Sequence, residues 1–115
     1  MANIDDLRDI ALALPKTTEG THFHLPSYQV SGKNFITIHK DGHLNMSIDP
    51  VRVADIVAED PAAFAELRRF DKPIGITVDL AKVHKQRLAE LVELAWRNQA
   101  PKKLVSAKDA EAGGR

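Results

Sequence analysis

Four of the five histidines fall in one stretch, at His22, His24, His39 and His43. His22 and His24 are two apart, so on a strand they share a face. His39 and His43 flank a Lys40-Asp41-Gly42 turn. Neutral imidazole is the commonest transition-metal ligand, and several converging rings could hold zinc or nickel. No cysteine or well-spaced carboxylate completes such a set, and exposed strand positions tolerate histidine without any ligand. A nucleophile, base and orienter can be written on paper from Ser27, Ser47, His39 and Asp49. No Gly-x-Ser-x-Gly elbow presents a serine, and no glycine-rich phosphate loop precedes a helix. No catalytic residue, metal ligand or cofactor is therefore assigned, and an enzyme is not expected. The remaining chemistry is phosphate contact. Lys33 and Lys40 lie on two turns, Arg68, Arg69 and Lys72 in a polar break, and Lys102 and Lys103 after the last long helix. Hairpin-tip cations can reach phosphates, while Gln29, His43 or Asn45 could contact base edges. Glu19, Asp41 and Asp71 lie close by in sequence and would repel the same phosphates.

Composition narrows the classes. A chain of 115 residues has the size of one domain. With 43% hydrophobic and 28% charged residues it has the makings of a core. Absence of cysteine excludes disulfides, thiolate metal sites and cysteine nucleophiles. The first fifteen residues carry Asp5, Asp6 and Asp9 and do not read as a signal peptide. No apolar run is long enough to span a bilayer, so a cytoplasmic protein without a membrane partner is expected. The 16 basic and 16 acidic residues cancel. They are unevenly spread: residues 1–60 hold five basic and nine acidic groups, residues 61–115 eleven and seven.

The elements that position these groups follow from periodicity. Ile4, Leu7, Ile10, Ala11 and Leu14 recur at helical spacing, with Asn3 as cap and Pro15 as stop. Pro15 to Gly20 reads as a loop, and His22–Leu25 as a short strand stopped by Pro26. From Ser27 to Ile48 the chain alternates in three strands, broken at Ser31–Asn34 and at Lys40-Asp41-Gly42. Tyr28, Val30, Ile36, Ile38, Leu44, Met46 and Ile48 point inward. Ser27, Gln29, Phe35, Thr37, His39, His43, Asn45 and Ser47 point to a polar outer face, where Phe35 is the one stacking platform. Asp49-Pro50 opens a helix, and Asp60-Pro61 repeats the device for a second short one carrying Phe64 and Leu67 inward. Arg68 to Pro73 is a polar break, and Ile74–Leu80 a further strand joining the sheet, with Ile74, Ile76, Val78 and Leu80 on one apolar face. A long helix from about Val83 to Ala100 follows, and residues 106–115 read as a frayed tail. Trp96, Phe64 and Phe23 read as core. The fold class is α+β: a two-layer sandwich with helices on one face of an antiparallel sheet.

Several segments resemble the MmcQ/YjbR-like family in order and spacing. They are Leu14-Pro15-Lys16-Thr17-Thr18-Glu19-Gly20, Pro26-Ser27-Tyr28, Gly32-Lys33 with Phe35, and Ile76-Thr77-Val78-Asp79. Ala95-Trp96-Arg97 leading into Ala100-Pro101-Lys102-Lys103-Leu104 completes the set. The likeness covers roughly residues 7–105, and residues 4–105 are taken as one such domain. It implies a small α+β domain likened to a double-wing DNA-binding motif, with DNA as partner; between Phe70 and Gly75 this chain departs from many relatives, which carry a longer aromatic-containing hairpin, so a second wing there is expected to be short. The expected function is thus DNA binding through basic hairpin tips and the polar sheet face. The alternative is a protein-interaction or small-ligand-binding module on the same face, which predicts salt-insensitive binding to some partner or a preformed pocket beside Phe35 and His39.

Overall fold

A computed structural model describes residues 2–113. Helix α1 (Ile4–Leu12) starts at a capping box. Asp6 N–H donates to Asn3 Oδ1 at 2.8 Å, and Asn3 N–H to Asp6 Oδ2 at 3.1 Å. Four strands follow, β1 (Thr17–His22), β2 (Leu25–Val30), β3 (Lys33–Ile38) and β4 (His43–Ser47). Helix α2 (Pro50–Glu59) has Asp49 as its cap and proline in its first turn. Strands β5 (Phe64–Arg69) and β6 (Lys72–Asp79), α3 (Lys85–Gln99) and α4 (Lys102–Gly113) complete the order. The sheet is antiparallel throughout, in the order β1-β2-β3-β4-β6-β5.

Register explains which face is buried. Tyr28, Ile36, Met46 and Ile76 form one row across four strands, and Leu44, Val78 and Phe64 form the next. All are buried beneath α1, α2 and α3, which supply Leu7, Val53, Ile56, Leu88, Leu91, Val92 and Trp96 to the same core. The opposite row is polar: Ser27, Thr37, Asn45 and Thr77. The α+β class and the helices packed against an antiparallel sheet are as expected from the sequence.

Three expectations are corrected. Thr17–His22 is a paired edge strand and not a loop, while His22–Leu25 is its turn and not a strand. The segment contains no aliphatic or aromatic residue, so periodicity cannot reveal it. Residues 61–67 do not form a helix. One turn closes on the Asp60 carbonyl, and then Phe64–Arg69 pairs along β6, so the polar break is a hairpin tip. Phe64 faces the helices but Leu67 lies opposite Gly75 on the other face. Nonlocal pairing overrides a helix-start signal that has too few apolar residues behind it. Finally, residues 106–113 continue α4.

Helix α4 is held to α3 by charge. Arg97 donates to Asp109 at 2.6 and 3.2 Å, and to Glu93 at 3.0 Å; Lys108 lies 3.5 Å from Glu93. The hydrogen bond from Arg97 is the main reason the Asp109 carboxyl sits below its usual range. A depressed carboxylate stabilises above its unfolded pKa, about 3.9, and that help disappears as pH falls through the lower folded value. Asp109→Asn is therefore expected to speed amide exchange in α4 at neutral pH, and the native chain to show the same change only in strong acid. Equal exchange in both proteins at neutral pH would show that the pair holds nothing.

Candidate functional site

Two hairpins form wings at opposite edges of the sheet. The β1–β2 hairpin turns on Phe23 and His24, with φ of 50° and 66°; the β5–β6 hairpin turns on Phe70 and Asp71, with φ of 50° and 64°. Two-residue hairpin loops with positive φ at both positions match strand twist, and normally use asparagine and glycine. An aromatic residue in the left-handed region costs roughly 1–2 kcal/mol. Both phenylalanines are also bare, 80% and 91% exposed. Phe23 is thus not a core residue, contrary to expectation. The His22 ring holds it edge-on at 4.5 Å.

By register, the two tips lie at opposite ends of the strands. His22 and Leu25 sit beside the end of β3, whereas Arg69 and Lys72 sit beside its start. Yet residues of both wings line one cleft of about 680 Å³ over the polar face. Sheet twist lifts diagonally opposite corners toward the same side. The floor comes from β3 and β4, with Phe35, Thr37, Asn45 and Ser47; Leu25 and Phe23 form one wall and Leu67, Arg69 and Ile74 the other. The end of α3 closes the basic end. There Asn98 and Gln99 donate to Ser47 Oγ at 2.9 and 3.0 Å, and Gln99 also donates to the Asn34 carbonyl at 3.3 Å.

Two bulges shape the cleft. Tyr28 pairs with Ile36 and Gln29 with Asn34, leaving Phe35 as the extra residue; Leu67 pairs with Gly75 and Arg68 with Pro73, leaving Ile74 extra. A bulge breaks the two-residue alternation. Asn34 and Phe35 therefore both reach the cleft, and Ile74 lines it instead of facing the helices. Phe35 is only 1% exposed, so it is part of a covered floor and not an open stacking platform.

The floor holds polar atoms in want of partners. Ser27 is 2% exposed and Thr37 5%. Asn34 Nδ2 donates to Thr37 Oγ1 at 2.8 Å, and Asn34 Oδ1 is unpaired. Asn45 Oδ1 and His39 Nε2 are also buried without a partner, as is Ser27 Oγ, which lies across from Thr37 but outside the cleft lining. Unpaired buried polar atoms are costly and uncommon, and each calls for a partner such as a water, an ion or a ligand.

The other candidate residues are dispersed. His39 and His43 stack at 4.3 Å and 14°, and His43 Nδ1 pairs with Asp41. The backbone N–H of His43 also donates to Asp41, the chief cause of that carboxyl's lowered pKa. Among the described residues no three of His, Asp or Glu gather around a point that would hold a metal. The paper triad is not assembled: Ser47 Oγ is taken by Asn98 and Gln99, and Asp49 by the Val51 N–H. Lys33 lies at the start of β3 and Lys40 beyond its end, so the two turn lysines sit at opposite ends of the sheet. Lys33, Arg68, Arg69 and Lys72 share one end; Arg68 is occupied by Glu66 and the Asp71 carbonyl. Lys102 and Lys103 are exposed in the first turn of α4. Gln29 pairs with Thr18 and Asn34 on the outer face but lies outside the cleft. Sequence reading missed Asn34, Ile74, Asn98 and Gln99. None of the four carries a local signal: the first two reach the cleft through bulges, the last two through the docking of α3 on Ser47.

Known proteins place this arrangement in context. The YjbR family model matches residues 12–98. Uncharacterized proteins of Mycobacterium bovis and Mycobacterium tuberculosis are 36% identical over 69 residues, covering 55% of this chain and 54% of theirs. The chain thus spans about half the length of the curated relatives it matches. In fold it is similar to the crystal structure of Deinococcus radiodurans protein DR2400, which carries a DUF419 domain. The TM-score is 0.71 at 24% identity, covering 84% of this chain and 77% of that one.

Proposed function

This chain belongs to the YjbR family, and from that premise we propose that it works by binding a small molecule in the cleft between its wings, with no catalytic step. The observation that supports this most is the buried floor, with Asn34 Oδ1, Asn45 Oδ1 and His39 Nε2 all unpartnered. Such a floor is complete only when an occupant supplies hydrogen bonds. The pocket beside Phe35 and His39 is also what a small-ligand module predicts. Cleft volume and mixed lining suit a molecule of drug or metabolite size.

The test is a fragment library screened by protein-observed NMR. Hits are expected to shift Thr37, Asn45 and Ser47 amides, and Asn45→Leu to weaken them by about tenfold, the worth of one or two hydrogen bonds. Hits that map only to the helices, or none at all, would remove the reading.

DNA binding is the second reading, favoured by one observation. Lys33, Arg69 and Lys72 share one sheet end, and no salt bridge to them occurs among the described residues. Duplex affinity would then fall steeply with salt. Lys33→Glu and Lys72→Glu would weaken it, whereas Lys40→Glu at the far end would not. Salt-independent affinity, or equal loss from all three, would dismiss that arrangement.

A further inference from the structure

The cleft is not the same at its two ends, and the difference has chemical meaning. At one end stands Phe23, an exposed ring on a positive-φ turn, braced by His22. At the other stands Arg69, exposed at the rim and without an acidic partner among the described residues. Between them the floor offers carboxamide oxygens from Asn34 and Asn45, which accept and do not donate. Along β3 from Asn34 to His39 the floor runs about 16 Å, at ~3.3 Å per residue.

We infer that the cleft is a mononucleotide site, which takes an amino-bearing base against Phe23 and a phosphate at Arg69. This rests on the cleft being the binding site. A flat heteroaromatic ring is what an exposed, conformationally fixed phenylalanine stacks on. An exocyclic amine points to the unpaired Asn45 oxygen in the middle of the floor, and the ribose passes over Thr37 and Asn34 toward the Arg69 end. The phosphate reaches a guanidinium that nothing else engages, the geometry arginine serves best. Asn98 and Gln99 sit beside that end on Ser47, so further N–H donors adjoin the phosphate position. The ring partner is purposeful rather than incidental, because a left-handed turn accepts phenylalanine only at a cost that glycine or asparagine would avoid.

Calorimetric titration of the full chain with adenosine, cytidine and uridine monophosphates tests this. Adenosine and cytidine monophosphates are expected to bind more tightly than uridine monophosphate, which lacks the amine. Arg69→Ala should weaken adenosine monophosphate by about tenfold, the loss of a charge-assisted contact, and leave adenosine unchanged. Phe23→Gly should weaken adenosine and adenosine monophosphate alike, and its turn geometry protects the fold. If fragments shift Thr37 and Asn45 but no mononucleotide binds at millimolar concentration, the ligand class is wrong while the cleft stands. If neither fragments nor nucleotides bind, both readings fall together. Binding of single-stranded oligonucleotides with none of the free mononucleotides also overturns the proposal. So does equal loss of adenosine and its monophosphate in Arg69→Ala.

Discussion

Gly75→Ala is expected to lower stability by about 3 kcal/mol, the upper end for forcing a methyl into packed space. A Cβ there would lie 1.9 Å from the Met46 carbonyl oxygen, 2.9 Å from its carbon and 3.2 Å from the Ile48 nitrogen. All three are backbone atoms of β4 and its continuation, so no rotamer relieves the clash. Gly20→Ala is the control. Its Cβ would come 2.9 Å from the Gln29 amide nitrogen, the end of a side chain that can move aside. It should cost well under ~1 kcal/mol. Urea midpoints of the two variants decide the matter, and similar midpoints would refute the account. The close approach at Gly75 also has a functional side. It lies beside the Ile74 bulge and opposite Leu67, where β6 passes β4 and the second wing rises over the cleft. A variant that still folds should therefore show a displaced wing, read as amide shifts in Leu67–Ile74.

The second large effect is at Trp96, which is fully buried on α3. Its Nε1–H donates to the Pro15 carbonyl at 2.9 Å, joining the last long helix to the start of the first wing. Trp96→Ala should cost about 3–5 kcal/mol through the cavity it leaves. That is a large share of the roughly 5–15 kcal/mol that holds a domain. Trp96→Phe separates packing from the hydrogen bond: most of the ring stays, but the Pro15 carbonyl loses its partner, at about 1–3 kcal/mol. Thermal denaturation should rank native, Trp96→Phe and Trp96→Ala in that order. A phenylalanine variant as stable as the native chain would mean that the Pro15 contact contributes nothing. Amide exchange in Thr17–His22 should rise in Trp96→Phe as well, because β1 is an edge strand anchored at that carbonyl.

These two positions differ in how visible they are before folding. Trp96 lies on an apolar stripe with Leu88, Leu91, Val92 and Ala95, and all five are buried as the spacing indicates. Gly75 carries no such signal, because what makes it necessary is a strand thirty residues away in sequence. The same division runs through the site. Alternation in β2, β3 and β4 assigns Ser27, Thr37 and Asn45 correctly to the polar face. It assigns Phe35 to that face as well, but not to a covered position, and it assigns Ile74 to the wrong one.

What local pattern settles on its own is every element whose apolar residues repeat: α1, the β2–β4 meander, α2 and α3, with the caps at Asn3 and Asp49. Periodic burial is written into such segments because each must hide one face, whichever partner covers it. The wings and the cleft belong to tertiary structure alone. Thr17–His22 and Phe64–Arg69 have almost no apolar repeat, and become strands because β2 and β6 offer them backbone hydrogen bonds. Two bulges then break the alternation, and twist carries both tips over one face. Each of these depends on pairing between residues distant in the chain, and side-chain order along one strand has no means of recording it.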